Sequence, residues 1–382
     1  MAVADVSAMR RMNLAATLRE LYDHGPSSSA ALQRATGLSR RTLEMIVNDL
    51  LDRGWIVDEA PDDVGSRSAG RPARRLRFNA GSGFVLAVQL DFGYMNLRVS
   101  DLAGTVLLDE RAELATELSR DERIARLLNE IDAALARLGA SRHQIFAVVV
   151  ATPGIVRDNG YIDLPVTFLD WSGFPLRQRI AAEFDCEVIV ENDAKLAALG
   201  EAALAGEGSG ANFVWVRADG VRIGLGIVIE GRLYRGRDGA AGEIVWARLL
   251  GFEAVESHIL SGLVHETHPR HLDARALLAR IEQSDPESLT HVETLAAGLA
   301  PGLEAIAWIL APQAIVIGGA LASIGAPLVE ALNRRYRLGT HPIEAEIRTS
   351  ASSEEAIITG ATETGLAVVR RLLFDSGSLP PA

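Results

Sequence analysis

The chain has little of the chemistry that covalent cross-links and metal clusters need. Cys186 is the only cysteine among 382 residues, which excludes an intramolecular disulfide and a cysteine-cluster metal site. Lys195 is the only lysine, so nearly all positive charge is carried by arginine. No apolar run reaches the roughly 18 residues that a membrane span needs, and the first residues lack the apolar core of a signal peptide. We therefore expect a soluble cytoplasmic protein with no membrane partner.

Charge is distributed unevenly along the chain. The formal net charge is −12, which by itself argues against a nucleic-acid binder. Residues 1–80, however, hold 12 Arg against 10 Asp plus Glu, whereas the remainder holds 26 basic against 40 acidic residues. Such asymmetry between segments predicts separate domains. The N-terminal 80 residues are therefore the part of the chain to test for DNA binding.

The first 54 residues have the pattern of three short helices. Leucines recur on one helical face over residues 10–23, and Gly25 and Pro26 end that helix. The segment "SSSAALQRATG" predicts a second helix that a serine caps and Gly37 ends. Ser39 is the expected N-cap of the third helix, which Gly54 ends. The apolar stripe of this third helix is formed by Leu43, Ile46, Val47, Leu50 and Leu51.

Three helices followed by two short extended runs, "WIVDE" and "ARRLRFN", predict a winged helix-turn-helix domain over residues 1–80. The third helix is then the reading helix, because arginine suits guanine or phosphate and asparagine suits adenine. The candidate DNA-binding residues at this helix are Ser39, Arg40, Arg41, Thr42, Met45 and Asn48. Those of the wing are Arg67, Arg71, Arg74 and Arg75, with "AGRP" resembling an arm that enters the minor groove. A small protein-binding module is the alternative interpretation.

From residue 84 onwards, strand patterns alternate with helix patterns. Buried strands are predicted at "FVLAVQLDFG", "IFAVVVATPG", "CEVIVEND", "NFVWVRAD" and "QAIVIGGAL", and amphipathic helices lie between most of them. This alternation is typical of an α/β domain, and it predicts a mainly parallel sheet with helices on both faces.

Several motifs in this region resemble the ROK family in type and order. They are "LDFG", "ATPGIV", "ENDA…ALGE", "GLGIVIEGRLYRGRDGAAGEI" and "VIGGAL". The family comprises sugar kinases and sugar-responsive repressors, and the resemblance implies a two-lobed, actin-like, sugar-kinase-like effector domain over residues 81–382. Lobe one would be about 81–191 plus the C-terminal helix, and lobe two about 192–360. The wing "GRP…LRFN" resembles the repressor branch, which includes xylose and N-acetylglucosamine regulators.

The resemblance also implies an effector site. In the family's kinases an aspartate at the position of Asp193 takes a proton from the sugar hydroxyl that attacks ATP. Asn192, Asp193, Glu243 and Glu253 match residues that hold sugar hydroxyls, and buried polar groups of this kind reject ligands that lack those hydroxyls. A helix N-cap is the alternative role for Asn192 and Asp193, and the two roles can coexist.

Both glycine-rich phosphate turns of the kinases are altered in this chain. Where the first turn of a kinase resembles Asp-x-Gly-Gly-Thr, residues 91–95 read "DFGYM". Where the second resembles Gly-Thr-Gly-Ile-Gly, residues 220–224 read "GVRIG". Only glycine lets backbone N–H groups approach a phosphate closely. ATP is therefore not an expected cofactor.

Further departures concern zinc and the sugar. Members of the family usually carry a histidine shortly after the glutamate matched by Glu243, followed by a cysteine cluster, and these bind a structural zinc. Trp246 replaces that histidine, and "ARLLGFE" contains no cysteine, so we expect no metal, since zinc needs about four ligands. Thr167 takes the place of a sugar-contacting asparagine. Trp246 either stacks on an apolar sugar face or fills the space vacated by zinc.

These observations together predict a transcription repressor of carbohydrate uptake or catabolism genes, with double-stranded operator DNA and a sugar or sugar derivative as its partners. We expect a homodimer or tetramer, since one reading helix contacts few phosphates. A ROK sugar kinase with an atypical ATP site is the alternative. A third possibility is a regulator whose effector is not a sugar.

Overall fold

The computed structural model describes most of the chain. The residues described are 2–59, 75–91, 93–115, 117–163, 169–206, 210–219, 222–244, 250, 264–265, 268–272, 274–336, 345–375 and 379.

The N-terminal module contains three helices and a small antiparallel sheet. Its elements are α1 (Ala2–His24), β1 (Ser27–Ser28), α2 (Ser29–Thr36), α3 (Arg40–Asp52), β2 (Ile56–Glu59) and β3 (Arg75–Phe78), with strand order β1-β3-β2. The Ser28 and Ser39 side chains cap α2 and α3, and Gly37 ends α2 in the left-handed region at φ 69°. The predicted winged helix-turn-helix is confirmed, and β1 is an additional strand that was not predicted.

The first lobe is built on a five-stranded sheet in the order β10-β7-β4-β5-β6. Its elements are β4 (Phe84–Asp91), β5 (Tyr94–Asp101), β6 (Val106–Glu113), α4 (Arg120–Arg137), β7 (Ile145–Thr152), β8 (Ile155–Val156), β9 (Ile162–Asp163), α5 (Leu176–Ala181) and β10 (Glu187–Asn192). Strands β10, β7 and β4 are parallel, whereas β4, β5 and β6 pair antiparallel.

The second lobe repeats this plan with the order β13-β12-β11-β16-β17. Its elements are β11 (Phe213–Asp219), β12 (Arg222–Ile229), β13 (Arg232–Leu233), β14 (Val264–His265), β15 (His268–Leu272), α7 (Ala274–Glu282), α8 (Pro286–Leu310), β16 (Ala314–Gly318), α9 (Ala326–Tyr336) and β17 (Glu346–Thr349). Strands β11, β16 and β17 are parallel, and β11, β12 and β13 are antiparallel. The prediction of a mainly parallel sheet is therefore wrong in detail. Each sheet is mixed, because strands joined by short turns can pair only antiparallel.

Two helices, α6 (Asp193–Ala205) and α10 (Ser353–Phe374), lie between the two sheets. One core cluster combines Val149 of the first sheet, Trp215 and Val316 of the second, and Leu196 and Ala361 of the two helices. The helices cross at glycines. A Cβ atom built on Gly200 would overlap the backbone carbonyl of Ala356, and one on Gly360 would overlap the carbonyl of Leu196. Glycine is needed at this crossing because the two backbones touch.

The winged helix shares its core with the first lobe and with α10. Leu18 and Leu50 of the winged helix belong to one cluster with Val85 of β4 and with Leu366 and Val369 of α10. The Tyr22 hydroxyl donates to the Leu102 carbonyl at 3.2 Å, and its ring meets that of Phe374 edge-on at 5.4 Å between centroids. The predicted domain limits stay a prediction. Residue 80 begins a short 3₁₀ helix, Ala80–Ser82, which lies between the end of β3 at Phe78 and the start of β4 at Phe84.

Within the described part of the chain, α8 alone is long and apolar enough to cross a membrane by length and composition. Glu287, Glu293 and Glu304 interrupt its apolar sequence, so it does not contradict the expectation that no apolar run reaches about 18 residues. The buried side of α8, which includes Leu295, Leu299 and Leu303, lies in the core cluster of the second lobe. A buried core helix has this composition without spanning a membrane.

Candidate functional site

The reading helix α3 has one buried face and one exposed face. Leu43, Ile46, Val47 and Leu50 are buried in the core of the winged helix. Arg41, Met45 and Asn48 lie on the opposite face and are exposed, with Met45 55% accessible. The structure therefore brings these three candidate DNA-binding residues together on the outward surface, where they can reach base edges in a major groove.

The other candidates at the start of α3 have partners within the helix. The Ser39 hydroxyl accepts from the Thr42 amide at 3.2 Å and lies 2.8 Å from the Thr42 hydroxyl. The Arg40 guanidinium donates to Glu44 at 2.9 Å. Ser39 and Thr42 thus fix the N-terminus of the helix, and that terminus favours a phosphate through its exposed amides.

The wing is described only in part. Arg75 begins β3, donates to the Pro26 carbonyl at 2.8 Å and lies 3.5 Å from the Glu59 carboxylate. Arg75 therefore positions the base of the wing against the loop before α2. Arg67, Arg71 and Arg74 lie outside the described residues.

Asn192 and Asp193, at the end of β10, have different structural roles. The Asn192 side chain is the N-cap of α6, accepting from the Lys195 amide at 3.1 Å, and its amide nitrogen donates to the Gly154 carbonyl at 3.0 Å. Asp193 is the first residue of the helix. The interpretation of Asp193 as the cap is therefore wrong, because the cap oxygen comes from the residue with extended backbone just before the first turn.

Asp193 instead takes part in a buried ion-pair bridge. The guanidinium of Arg217, in the middle of β11, pairs with the Asp193 carboxylate and donates to the Asp91 carboxylate at 3.1 Å. Arg217, Asp91 and Asp193 are 4%, 1% and 5% exposed. Asp91 ends β4 and Asp193 follows β10, both of the first sheet, whereas Arg217 belongs to the second sheet. The bridge therefore joins the two lobes.

The tyrosine of the altered first phosphate turn is hydrogen-bonded to the aspartate of the same turn. The Tyr94 hydroxyl donates to the Asp91 carboxylate at 3.0 Å and lies 3.2 Å from the Gln89 amide, which in turn accepts from Asn96. Gly93 has φ 84°, so the turn still needs glycine for its backbone. Asp91 thus receives donors from Tyr94 and Arg217.

Glu243 lies next to the only lysine of the chain. The Lys195 ammonium is 3.3 Å from a Glu243 carboxylate oxygen, and Lys195 is 1% exposed. Burial raises the pKa of the Glu243 carboxyl above its ordinary value, the Lys195 ammonium opposes that rise, and Asp193 and Glu191 add to it. We call Asp91, Asp193, Lys195, Arg217 and Glu243 the interlobe cluster.

A second arginine joins the lobes beside this cluster. Arg235 follows β13 and donates to the Glu191 carboxylate at 2.6 Å, to Asp158 at 2.5 Å and to the Val156 carbonyl at 3.1 Å. Its partners belong to the first lobe. Arg157 of the first lobe is in turn paired with Asp238 of the second, so arginines bridge the two lobes at several points.

Three predicted effector residues, Thr167, Trp246 and Glu253, lie outside the described residues, as do Gly220 and Val221 of the second phosphate turn. Among the residues that the structure does describe, no group of three or more histidine, cysteine, aspartate or glutamate side chains could hold a metal ion. The predicted absence of zinc and of ATP stays a prediction.

Sequence reasoning missed Lys195, Arg217 and Tyr94 as members of the site. A signal was present for two of them. Lys195 is the only lysine, and Arg217 is a charged residue inside the apolar run "FVWVRAD". A charge buried in a central strand needs a partner, but only the structure identifies Asp91 and Asp193 as those partners.

The chain is similar to known proteins in sequence and in fold. A model described as the ROK family matches residues 85–249 and 251–364. The xylose repressor of Bacillus subtilis strain 168 is 27% identical over 248 residues, which cover 64% of this chain and 62% of that repressor.

Two solved structures share the fold. A ROK family transcriptional regulator, a homologue of the E. coli MLC protein, matches with a TM-score of 0.68 at 22% identity, covering 96% of this chain and 98% of that one. A ROK family glucokinase from Streptomyces griseus, in complex with glucose and AMPPNP, matches with a TM-score of 0.58 at 21% identity, covering 74% of this chain and 99% of that one. The match to the regulator therefore extends over more of this chain than the match to the kinase.

Proposed function

Because this chain belongs to the ROK family, we propose that it is a DNA-binding transcription repressor whose kinase-like domain senses a sugar or sugar derivative without phosphorylating it. The observation that carries the proposal is the exposed face of α3, with Arg41, Met45 and Asn48, on a winged helix that shares its core with the ROK domain. A sugar kinase has no need of a base-reading helix. The xylose repressor among the relatives supports the same function. The proposed targets of this protein are genes of carbohydrate uptake or catabolism, and its proposed location is the cytoplasm.

The DNA site is expected to have twofold symmetry. One reading helix and one wing neutralise few phosphates, and affinity at cellular salt depends steeply on that number. A homodimer or a dimer of dimers therefore binds two half-sites about one helical turn apart, or a multiple of that distance. The wing arginines Arg67, Arg71 and Arg74 are proposed to contact the backbone or the minor groove.

Arg41→Ala is expected to weaken operator binding by about 1–3 kcal/mol if Arg41 reads a base. The operator is first obtained by selecting bound sequences from a random duplex pool with the full-length protein. The full chain is needed because part of the core of the winged helix comes from β4 and α10. Affinity is then measured by fluorescence anisotropy at a fixed salt concentration.

The matched control for this experiment is Arg179→Ala, which removes an arginine from the surface of the first lobe, where it pairs with Glu183 at 2.8 Å. It should leave operator affinity unchanged. A random-site selection that yields no preferred sequence would contradict the DNA-binding function itself.

The absence of catalysis is proposed mainly from the altered phosphate turns. Phosphoryl transfer requires a phosphate cradle, whereas the Tyr94 hydroxyl of the first turn donates to the Asp91 carboxylate. An Asp193 oxygen is also paired with the Arg217 guanidinium, so Asp193 can meet a substrate proton as a general base only after that pair opens. The second candidate function is that of a sugar kinase with an atypical ATP site, because a ROK family glucokinase shares the fold.

We expect no ATP-dependent phosphorylation of D-xylose, D-glucose, D-mannose or N-acetylglucosamine above the background of a protein-free reaction. A coupled ADP-release assay and calorimetric titration with ATP and magnesium test this expectation. Micromolar nucleotide binding, or turnover with any of the four sugars, would favour the kinase instead.

The effector site is proposed to be formed by Asn192, Asp193 and Glu243, together with Glu253, Thr167 and Trp246. D-xylose is the first ligand to test, because a relative is a xylose repressor. Neither ATP nor zinc is proposed as a cofactor. Ligand binding is measured by thermal shift, since a ligand that binds only the folded state raises the melting temperature.

A further inference from the structure

The Arg217 guanidinium lies on the carboxylate that the proposed function assigns to ligand hydroxyls. One Asp193 oxygen accepts from the Ala194 amide at 2.7 Å, and the other is paired with Arg217. Asp193 is 5% exposed and Arg217 is 4% exposed, so water competes little with this pair. A sugar hydroxyl that binds Asp193 must therefore share the carboxylate with the arginine or displace it.

The bridge is built so that Arg217 can leave Asp193 and remain paired. Its other nitrogen donates to Asp91, whose carboxylate is held in place by the Tyr94 hydroxyl. An arginine that loses every partner in a buried site is strongly destabilising, but one that keeps a carboxylate is not. The pair with Asp193 is therefore the contact of this bridge that a ligand can replace at the lower cost.

Neighbouring ion pairs do not provide this exchange. Arg235, the second arginine between the lobes, is paired with Glu191 and Asp158 rather than with Asp193. Lys195 is paired with Glu243. Among the ion pairs of the interlobe cluster in the described part of the chain, the one between the second sheet and Asp193 is made by Arg217. Arg217 therefore links occupancy of Asp193 to the contact between the lobes.

We propose that Arg217 is a resident occupant of the effector site, which holds the Asp193 carboxylate in the ligand-free protein and is displaced towards Asp91 when a sugar hydroxyl binds. This inference rests on the proposed function, because it takes Asp193 as a ligand-binding residue. Arg217 then determines the ligand concentration at which the protein responds. Ligand binding then weakens the contact between the two lobes, because the displacement of Arg217 removes one ion pair between them.

The effect of Arg217 on ligand affinity follows from the populations of two states. In one state Asp193 is paired with Arg217, and in the other Asp193 is open to the ligand. When only a fraction of the protein has its site open, the apparent dissociation constant is the intrinsic one divided by that fraction. If Arg217 occupies Asp193 in about nine molecules of ten, removing it tightens ligand binding about tenfold. The tightening should appear in the affinity and not in the stoichiometry.

The test uses a charge-compensated variant of the full-length protein. Arg217→Gln alone takes the shared cation from two buried carboxylates and risks unfolding. The double variant Arg217→Gln with Asp91→Asn removes one positive and one negative charge, so the buried charge is unchanged. Arg235→Gln is the matched control, because it removes an interlobe arginine that is paired with Glu191 instead. D-xylose and D-glucose are the probes, titrated by calorimetry into each protein after circular dichroism has shown that it is folded.

We expect the double variant to bind the sugar that the wild type binds, with a dissociation constant about tenfold lower, and the Arg235→Gln control to bind within about twofold of the wild type. Equal or weaker binding by the double variant would overturn the inference and leave the proposed function standing. Equal tightening in the control would overturn it too, because the effect would then come from general loosening of the lobes. Failure of wild type and both variants to bind either sugar at 100 mM would overturn the sugar-sensing function, and the inference with it.

Discussion

Gly200→Ala is expected to destabilise the protein by at least about 3 kcal/mol, the upper part of the range for overpacking a close-packed interior. The added methyl group would overlap the backbone carbonyl of Ala356, and that carbonyl belongs to helix α10. A helical backbone cannot move aside like the end of a flexible side chain. Separating the helices would also disturb the core cluster between the two sheets. Urea denaturation followed by circular dichroism measures the loss, and poor soluble expression is the expected extreme.

Gly81→Ala is the matched control for this substitution. Gly81 lies in an exposed connection before β4, and the nearest atom to a built Cβ is 4.0 Å away. Its replacement should change the free energy of unfolding by less than about 0.5 kcal/mol, as for ordinary surface sites. If Gly200→Ala were as stable as this control, the helices would not cross as closely as the structure shows.

Asp193→Asn is expected to abolish the response of DNA binding to the effector. In a coupled system the ligand changes operator affinity by about 1–3 kcal/mol, or about 5- to 150-fold. The substitution removes the charged acceptor for ligand hydroxyls but keeps the side-chain shape. Arg217 keeps Asp91 as its counter-ion, so the variant should fold with a loss of about 1.5–3 kcal/mol, the value of one hydrogen bond to a charged group. Operator affinity without sugar, and its change on adding sugar, are both measured by fluorescence anisotropy.

Ser119→Ala separates stability from sensing. It removes the hydroxyl that caps α4 and should cost about 1 kcal/mol, yet it leaves the Asp193–Arg217 pair and the proposed effector residues in place. This variant should lose stability and keep its response. Should Asp193→Asn instead respond at the same sugar concentration as the wild type, the assignment of Asp193 to the effector site is wrong.

The winged helix could be predicted closely from the sequence because its signals are local. Leucines one turn apart, serine caps and terminal glycines each act within a few residues, and the observed α2 and α3 follow them. Pairing between distant strands has no such local signal. The mixed character of both sheets, and the pairing of Ser27 and Ser28 with β3, therefore emerged only from the structure.

The acidic and amide residues of the candidate site could be predicted from the sequence, but its cationic residues could not. Asn192, Asp193 and Glu243 were identified through motifs that they share with the ROK family. Lys195 and Arg217 lie outside the polar positions of those motifs, and their roles depend on which side chain of another strand or loop comes within about 3 Å. The position of the cap shows the same limit, because backbone geometry at two adjacent residues decides whether Asn192 or Asp193 provides the oxygen.

The shared core beneath the winged helix restricts how such a module can be exchanged between proteins. Val85 and Leu102 of the first lobe and Leu366 of α10 are fully or almost fully buried, and they pack with the leucines of α1 and α3. A chimaera that grafts residues 1–78 onto another chain would bring half of this interface to a surface of different shape. Exchange of DNA specificity therefore requires that the graft also include the buried residues of the first lobe and α10 that pack against the winged helix. Otherwise the exchange must be confined to the exposed positions of α3. New operator preferences are reached more readily by substitutions at Arg41, Met45 and Asn48 than by transplanting the whole module.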